Sequence, residues 1–258
     1  MSTVERTRRG RVAIVTLSRP EALNAISGRV GDDLRDAFLA VAADREAWVM
    51  VLAAAGEKAF CVGADLKERS AFSKDDLQRN RHHIVDMFAA LRAVPQPTIA
   101  AVFGFALGGG FELALSCDLI VAADDARLGL TEVRVGLVPG GGGTQMLARI
   151  AGPARAKDLI FTGRQVDAAE ALAMGIVARV VPRAELEAAT IALAEQIAGN
   201  APIAVREAKR AVDRGLEVPV EQGIAVEDVS WRRSVATADR AEGIAAFVEK
   251  RPPAWKGE

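Results

Sequence analysis

The 258-residue chain contains no tyrosine, two histidines and two cysteines, and each scarcity closes off a class of function. Without tyrosine, and with nine Phe and three Trp scattered along its length, it offers no platform for stacking single-stranded nucleic acid. It also lacks a charge surplus: 33 Lys+Arg stand against 34 Asp+Glu, a formal net charge of −1. A phosphate backbone or an anionic bilayer therefore meets no general electrostatic attraction. Cys61 and Cys117 are lone thiols in apolar settings, not a disulfide framework. His82 and His83 are adjacent, and neighbouring helical positions diverge by about 100°, so they do not converge on a metal. No zinc-ligand spacing, GxSxG elbow or GxxxxGK[ST] loop occurs. No segment supplies about 18 uninterrupted apolar residues, and the start, MSTVERTRRGR, is polar. The expectation is a soluble cytoplasmic protein with no nucleic-acid or membrane partner and no bound metal.

What is present is core. Half of the residues are apolar, enough for one large domain or a domain with an appendage. Continuous apolar runs at 12–17 (VAIVTL), 48–54, 98–103 and 118–123 suit parallel strands buried on both faces. Ser27 is positioned to cap a helix carrying Val30, Leu34, Ala37, Phe38 and Val41 on one face. A second helix begins at Ser73 or Lys74, runs through Leu91 and stops before Val94-Pro95-Gln96-Pro97. Alternation of strands and helices predicts an α/β architecture. After residue 182 the strand signal disappears, and helical patterns follow near 183–199, 202–215, 219–235 and 239–250. The chain thus divides into an α/β core over 1–182, which holds the site, and a helical region over 183–258.

The chemistry concentrates between Gly104 and Thr144, where two carboxylates lie among glycine clusters. Gly108-Gly109-Gly110 follows the apolar run PTIAAVFG and precedes Glu112; Glu132 sits just before Gly140-Gly141-Gly142-Gly143. Each feature alone has an ordinary explanation: a tight strand-to-helix turn, a flexible loop, a glutamate complementing a helix dipole. Two observations favour a site. Glu112 is embedded among Phe111, Leu113, Ala114 and Leu115, where an ionised carboxylate is costly, and a second glutamate adjoins another glycine loop. Unpaired amides at a helix start together with two carboxylates suit a reaction that passes through an enolate.

The segments AFCVGADLKE (59–68), PTIAAVFGFALGGGFELALSCDLIVAA (97–123) and TEVRVGLVPGGGGTQMLARIAG (131–152) resemble the enoyl-CoA hydratase/isomerase (crotonase) family. FTGRQVDAAEALAMGIVARVVP and the terminal EGIAAFVEKRPPAWK continue the likeness, which runs from about Val12 to Lys256 in matching order. The resemblance implies a spiral of ββα repeats with a helical C-terminal trimerisation region, assembled as a homotrimer or a dimer of trimers. It implies an acyl-CoA substrate, with coenzyme A part of the substrate and no separate cofactor. It places Glu112 and Glu132 as the catalytic pair and the backbone amides of Ala64 and Gly109 as the oxyanion hole. Ala22, Leu23, Val62, Asp65, Leu66, Phe247 and Lys250 fall at substrate- or CoA-binding positions. Phe111, Leu66, Phe72, Met87 and Leu91 would shape the acyl pocket by analogy.

Keeping both glutamates points to a 2-enoyl-CoA hydratase; Δ3,Δ2-enoyl-CoA isomerisation on Glu132 alone is the alternative, and an acyl-CoA- or RNA-binding role a more distant one. The chain departs from well-known hydratases at Leu130-Thr131, where Gln-Pro is common, and Thr131 is a candidate to cap the turn or touch the water. The basic run Lys67, Arg69, Lys74, Arg79 and Arg81 fits either CoA phosphates or a solvated helix with Asp75, Asp76 and Asp86. Asp239 with Glu242 reads as the start of the last helix and Pro252-Pro253 as its stop, with Phe247 and Lys250 on one face.

Overall fold

The computed structural model describes residues 3–258. Its strands are β1 (Val4–Arg9), β2 (Val12–Leu17), β3 (Val49–Ala54), β4 (Ala59–Cys61), β5 (Thr98–Val102), β6 (Phe105–Leu107), β7 (Leu119–Ala123), β8 (Arg127–Gly129), β9 (Val166–Asp167) and β10 (Arg179–Val181). Six form one sheet in the order β1-β2-β3-β5-β7-β10, and four form a second in the order β4-β6-β8-β9. In the large sheet every pairing except β1–β2 is parallel.

The connectivity is a spiral. β3, β5 and β7 each enter the large sheet, and each is followed at once by β4, β6 or β8 in the small one. Helices close the turns: α1 (Gly28–Ala43), α2 (Leu66–Arg69), α3 (Lys74–Arg92), α4 (Gly109–Leu115), α5 (Gly143–Ala151), α6 (Pro153–Thr162) and α7 (Ala168–Ala173). These are the ββα repeats that the family resemblance implies.

Period-two alternation explains the unbroken apolar runs. Ala13, Val15, Leu17, Met50, Leu52, Ala100, Val102, Ile120 and Ala122 face a core shared with α1, α3 and α4. Val12, Val49, Val51, Ile99, Ala101, Val121 and Ala123 face the opposite way, onto Leu186, Ile191, Leu193 and Ala194. Those last residues belong to α8 (Leu186–Ala198), after which come α9 (Pro202–Gly215), α10 (Val220–Val235) and α11 (Ala238–Glu249). The last strand ends at Val181, yet α8 still covers the sheet, so packing changes later along the chain than element type does.

Local signals act as read at two helix starts. Ser27 accepts from the Val30 amide at 3.3 Å, and Ser73 and Asp76 form a reciprocal capping box at the head of α3. The last helix differs. Thr237, not Asp239, caps α11, its hydroxyl accepting from the Arg240 amide at 3.1 Å. Asp239 is buried and instead binds the amides of Lys256 (2.7 Å) and Gly257 (2.9 Å), clasping the C-terminal tail. The helix ends before Pro252: Lys250 is a left-handed cap with φ 55°, so helical spacing no longer places it on one face with Phe247.

Candidate active site

The Gly63-Ala64-Asp65 turn is held from outside. The Ile26 amide donates to the Gly63 carbonyl at 2.7 Å and the Asp65 amide to the Ile26 carbonyl at 3.0 Å. These bonds flank Ala64 and leave its own N–H without an acceptor among the described residues. Asn24 anchors the outer segment, donating to the carbonyls of Ala55 (2.9 Å) and Ala59 (3.0 Å) from a left-handed backbone with φ 55°. Sequence reasoning passed over Asn24; the signal for it is asparagine's tolerance of that conformation. Asp65 serves the turn too: it caps α2 through the Lys67 and Glu68 amides, both at 3.1 Å, and pairs with Arg19 at 2.7 Å. Arg19 is the main reason its carboxyl titrates below the usual range.

α4 faces that turn. Gly108 adopts φ 53°, reversing the chain so that the helix starts at Gly109, whose N–H has no intrahelical partner. A side chain at Gly109 would put its Cβ 3.9 Å from the Ala64 nitrogen. Two unpaired amides from separate turns of the spiral therefore converge on one small space.

Glu112, one turn further along α4, is 3 % exposed. The Gly141 amide (2.7 Å) and the Gly143 amide (2.8 Å) both donate to its Oε1. The glycine run at 140–143, readable as a flexible loop, is a clamp. A Cβ on Gly143 would lie 2.9 Å from Glu112 Oε1, and one on Gly141 would enter the Phe88 ring at 2.2 Å. Arg92 donates to the Gly141 carbonyl at 2.9 Å and Arg81 to the Gly140 carbonyl, so α3 fixes the loop from behind. Burial pushes the Glu112 pKa up, and the amides of Gly143, Gly141 and Gly140 together with the Arg81 charge pull it partly back.

Glu132 opens a 3-10 turn, Glu132–Val135, after β8. Its Oε1 lies 3.2 Å from where a Gly108 Cβ would stand, and its Oε2 is buried with no partner among the described residues. Its pKa rises to about 7, first through desolvation and then through the neighbouring Glu112 charge. Thr131 does not cap the turn with its side chain, contrary to one sequence expectation. Leu130 is fully buried and packs on the Gly143 position.

The raised Glu132 pKa carries a sign for stability. The folded state holds this proton more tightly than the unfolded chain does. Its contribution is full below about pH 4.5, the ordinary glutamate value, and lost as pH climbs through about 7. Glu132→Gln is therefore expected to stabilise the fold by about 2 kcal/mol at pH 8 and by little at pH 5, the figure being discounted for partial exposure. Urea denaturation at the two pH values checks this, and equal gains at both would contradict it.

The remaining expected residues separate. Val62 is half-buried, its amide bonded to the Leu23 carbonyl at 3.2 Å, and Leu66 is 53 % exposed. A hollow of about 310 Å³ lies beside Leu23, lined also by Pro20, Gly56, Glu57 and Lys58; Ala22 is not among its lining residues. Met87, Leu91 and Phe111 are sealed in the core, because the apolar faces of α3 and α4 are spent on packing. The basic run does not form one patch: Arg79 pairs with Asp76, while Arg81 turns to Gly140. His83 meets Asp32 at 3.0 Å on an exposed face, and no group of metal-ligating side chains occurs among the described residues. Cys61 is buried, its thiol pushed up to about 12 by desolvation, which makes it a poor nucleophile. Phe247 is 85 % exposed on α11. No helix among the described residues is long and apolar enough to cross a membrane.

Known proteins resemble this chain along almost its whole length. Residues 7–258 match the family model described as enoyl-CoA hydratase/isomerase. The chain is 44% identical over 251 residues to the bovine (Bos taurus) mitochondrial enoyl-CoA hydratase domain-containing protein 2, covering 96% of this chain and 85% of that relative. It is similar to the crystal structure of an enoyl-CoA hydratase from Bacillus anthracis, with TM-score 0.97, 42% identity and coverage of 99% of this chain and 100% of that one. An enoyl-CoA hydratase structure from Mycobacterium smegmatis gives TM-score 0.92 at 34% identity, covering 98% of each chain. With two facing amides, two coupled glutamates and a family match along almost its whole length, the chain belongs to the enoyl-CoA hydratase/isomerase family.

Proposed function

We propose that the protein hydrates a 2-enoyl-CoA to the 3-hydroxyacyl-CoA. The observation that carries this is the pairing of Glu112 and Glu132 beside the Ala64 and Gly109 amides. The thioester oxygen sits between the two N–H groups and takes the negative charge as water adds at C3. Glu112, clamped by the glycine amides at Oε1, accepts a proton from the water as its carboxylate. Glu132, protonated near neutral pH, gives its proton to C2. Glu112 then holds the proton that Glu132 has lost, and exchange through an intervening water resets the pair, so one water is added and nothing else is consumed. A shared proton is natural for two carboxylates this strongly coupled.

Incubation with crotonyl-CoA and with a 3-enoyl-CoA tests the reading. Loss of the conjugated enoyl absorbance, without conversion of the 3-enoyl substrate, is the expected result. Conversion of the 3-enoyl substrate alone would replace hydration by isomerisation.

Assembly as a homotrimer, alone or paired into a hexamer, belongs to the same proposal. Val212, Leu216, Val220, Ile224 and Trp231 on α9 and α10 are exposed in the protomer, and so is Phe247 on α11. Such a patch calls for a partner surface. Phe247 and Lys250 would then reach the CoA of a neighbouring subunit, while the hollow beside Leu23 takes the nucleotide end. Lys250→Ala is expected to raise KM more than it lowers kcat. Deletion of 239–258 is expected to weaken CoA binding and assembly together; an active monomer with unchanged KM by light scattering and kinetics would refute both.

A further inference from the structure

The glycine run at 140–143 lies along one face of α3, and three side chains of that helix meet it in order. Arg81, Phe88 and Arg92 follow one another at spacings of about two helical turns and one, so they project from the same face. A Cβ on Gly140 would lie 3.0 Å from Arg81 Nη1, one on Gly141 would strike the Phe88 ring, and one on Gly142 would lie 3.3 Å from Arg92 Nη1. Larger residues there would lift the loop off the helix.

The two arginines grip different peptide groups. Arg92 donates to the Gly141 carbonyl at 2.9 Å, and the N–H of that peptide belongs to Gly142, which is not one of the two amides on Glu112 Oε1. Arg81 donates to the Gly140 carbonyl, and the N–H of that same peptide is the Gly141 amide, which donates to Glu112 Oε1 at 2.7 Å. A guanidinium, one peptide group and a carboxylate thus form a continuous chain from the exposed surface of α3 to a buried side chain. A hydrogen bond to a peptide oxygen polarises the group and strengthens the bond that its N–H makes. Arg81 itself stays exposed, so it lends charge to the buried carboxylate without a desolvation cost of its own.

We propose that Arg81 is a positioning residue for Glu112, acting through the peptide group between Gly140 and Gly141 to hold the carboxylate in place and ionised while it takes the proton from water. The inference rests on the hydratase reading and adds to it a residue outside the reacting groups. Other charges also face Glu112: Glu132 across the site, Arg69 at the end of α2, and Arg92. Of the three arginines, Arg81 is the one joined to Glu112 by hydrogen bonds through a single peptide. Burial pushes the Glu112 pKa up and the Arg81 charge is among the groups that pull it back, so loss of Arg81 moves it higher.

The test uses full-length Arg81→Met, which removes donor and charge, and Arg81→Lys, which restores both without the fork. Arg81→Met is expected to lower kcat about 10-fold with KM close to wild type, and to move the acidic limb of the pH–kcat profile to higher pH. Arg81→Lys should recover part of both. A readout independent of turnover is the carboxyl carbon-13 signal of Glu112 in glutamate-labelled protein, assigned by its absence in Glu112→Gln. Its titration midpoint should rise in Arg81→Met and fall back in Arg81→Lys. That behaviour in a protein that hydrates no enoyl-CoA would support the link from Arg81 to Glu112 and remove only the hydratase reading. A folded Arg81→Met protein with the wild-type midpoint overturns the proposal and leaves hydration intact; if its kcat falls all the same, Arg81 only packs the loop.

Discussion

Glu112→Gln and Glu132→Gln should each lower kcat by about 10²–10⁴-fold, with CoA affinity close to wild type. Gln at 112 keeps an acceptor for the Gly141 and Gly143 amides, which bind Oε1 at 2.7 and 2.8 Å, so the clamp survives and only proton exchange is lost. At 132 the amide fills the same partly buried space but cannot supply the proton that a carboxyl with a pKa of about 7 holds at neutral pH. Because the two groups pass one proton between them, the double variant should be little worse than the worse single one. Steady-state kinetics beside a CoA-binding measurement decide it. Ordinary hydration by Glu112→Gln would sink the two-carboxylate mechanism and leave Glu132 acting alone, as an isomerase would use it.

Gly109→Val and Ala64→Val should leave folded proteins whose turnover is reduced about 10²-fold or more. The backbone of Gly109 is not left-handed, and a Cβ there meets nothing closer than Ile26 Cδ1 at 3.4 Å. The fold therefore tolerates a side chain, but its methyl groups would occupy the space facing the Ala64 amide, where the thioester oxygen must sit. Gly110 supplies the contrast: its Cβ would lie 2.0 Å from the Cys61 carbonyl oxygen, so Gly110→Ala should fail to fold. Thermal melts and kcat on the three variants separate the roles. Wild-type turnover by soluble Ala64→Val protein would remove that amide from the site.

The elements that could be read from the chain are those whose signal is local or periodic. β2, β3, β5 and β7 appear as apolar runs because both faces of the large sheet are covered, and α1 and α3 appear through their caps and 3.6-residue spacing. β1 escaped because it is an edge strand with five of its six residues exposed, so VERTRR carries no apolar signal. β4, β6 and β8, of three residues each, are too short to show a period, although they build the second sheet.

The site divides along the same line. Sequence alone singled out the proposed catalytic pair, Glu112 and Glu132, because carboxylates beside glycine runs in an apolar stretch are a one-dimensional anomaly, and the family motifs pointed to Ala64 and Gly109 as the proposed oxyanion amides. It did not reveal that the 140–143 run grips Glu112, that Arg81 and Arg92 hold that run, or that Thr131 leaves its turn uncapped. Each of these is a relation between segments far apart in the chain: Gly141 to Glu112 spans 29 positions and Arg92 to Gly141 spans 49. Burial and pairing are properties of the folded surroundings, so a carboxyl ordinary in the chain becomes a neutral-pH acid only when the spiral removes its water.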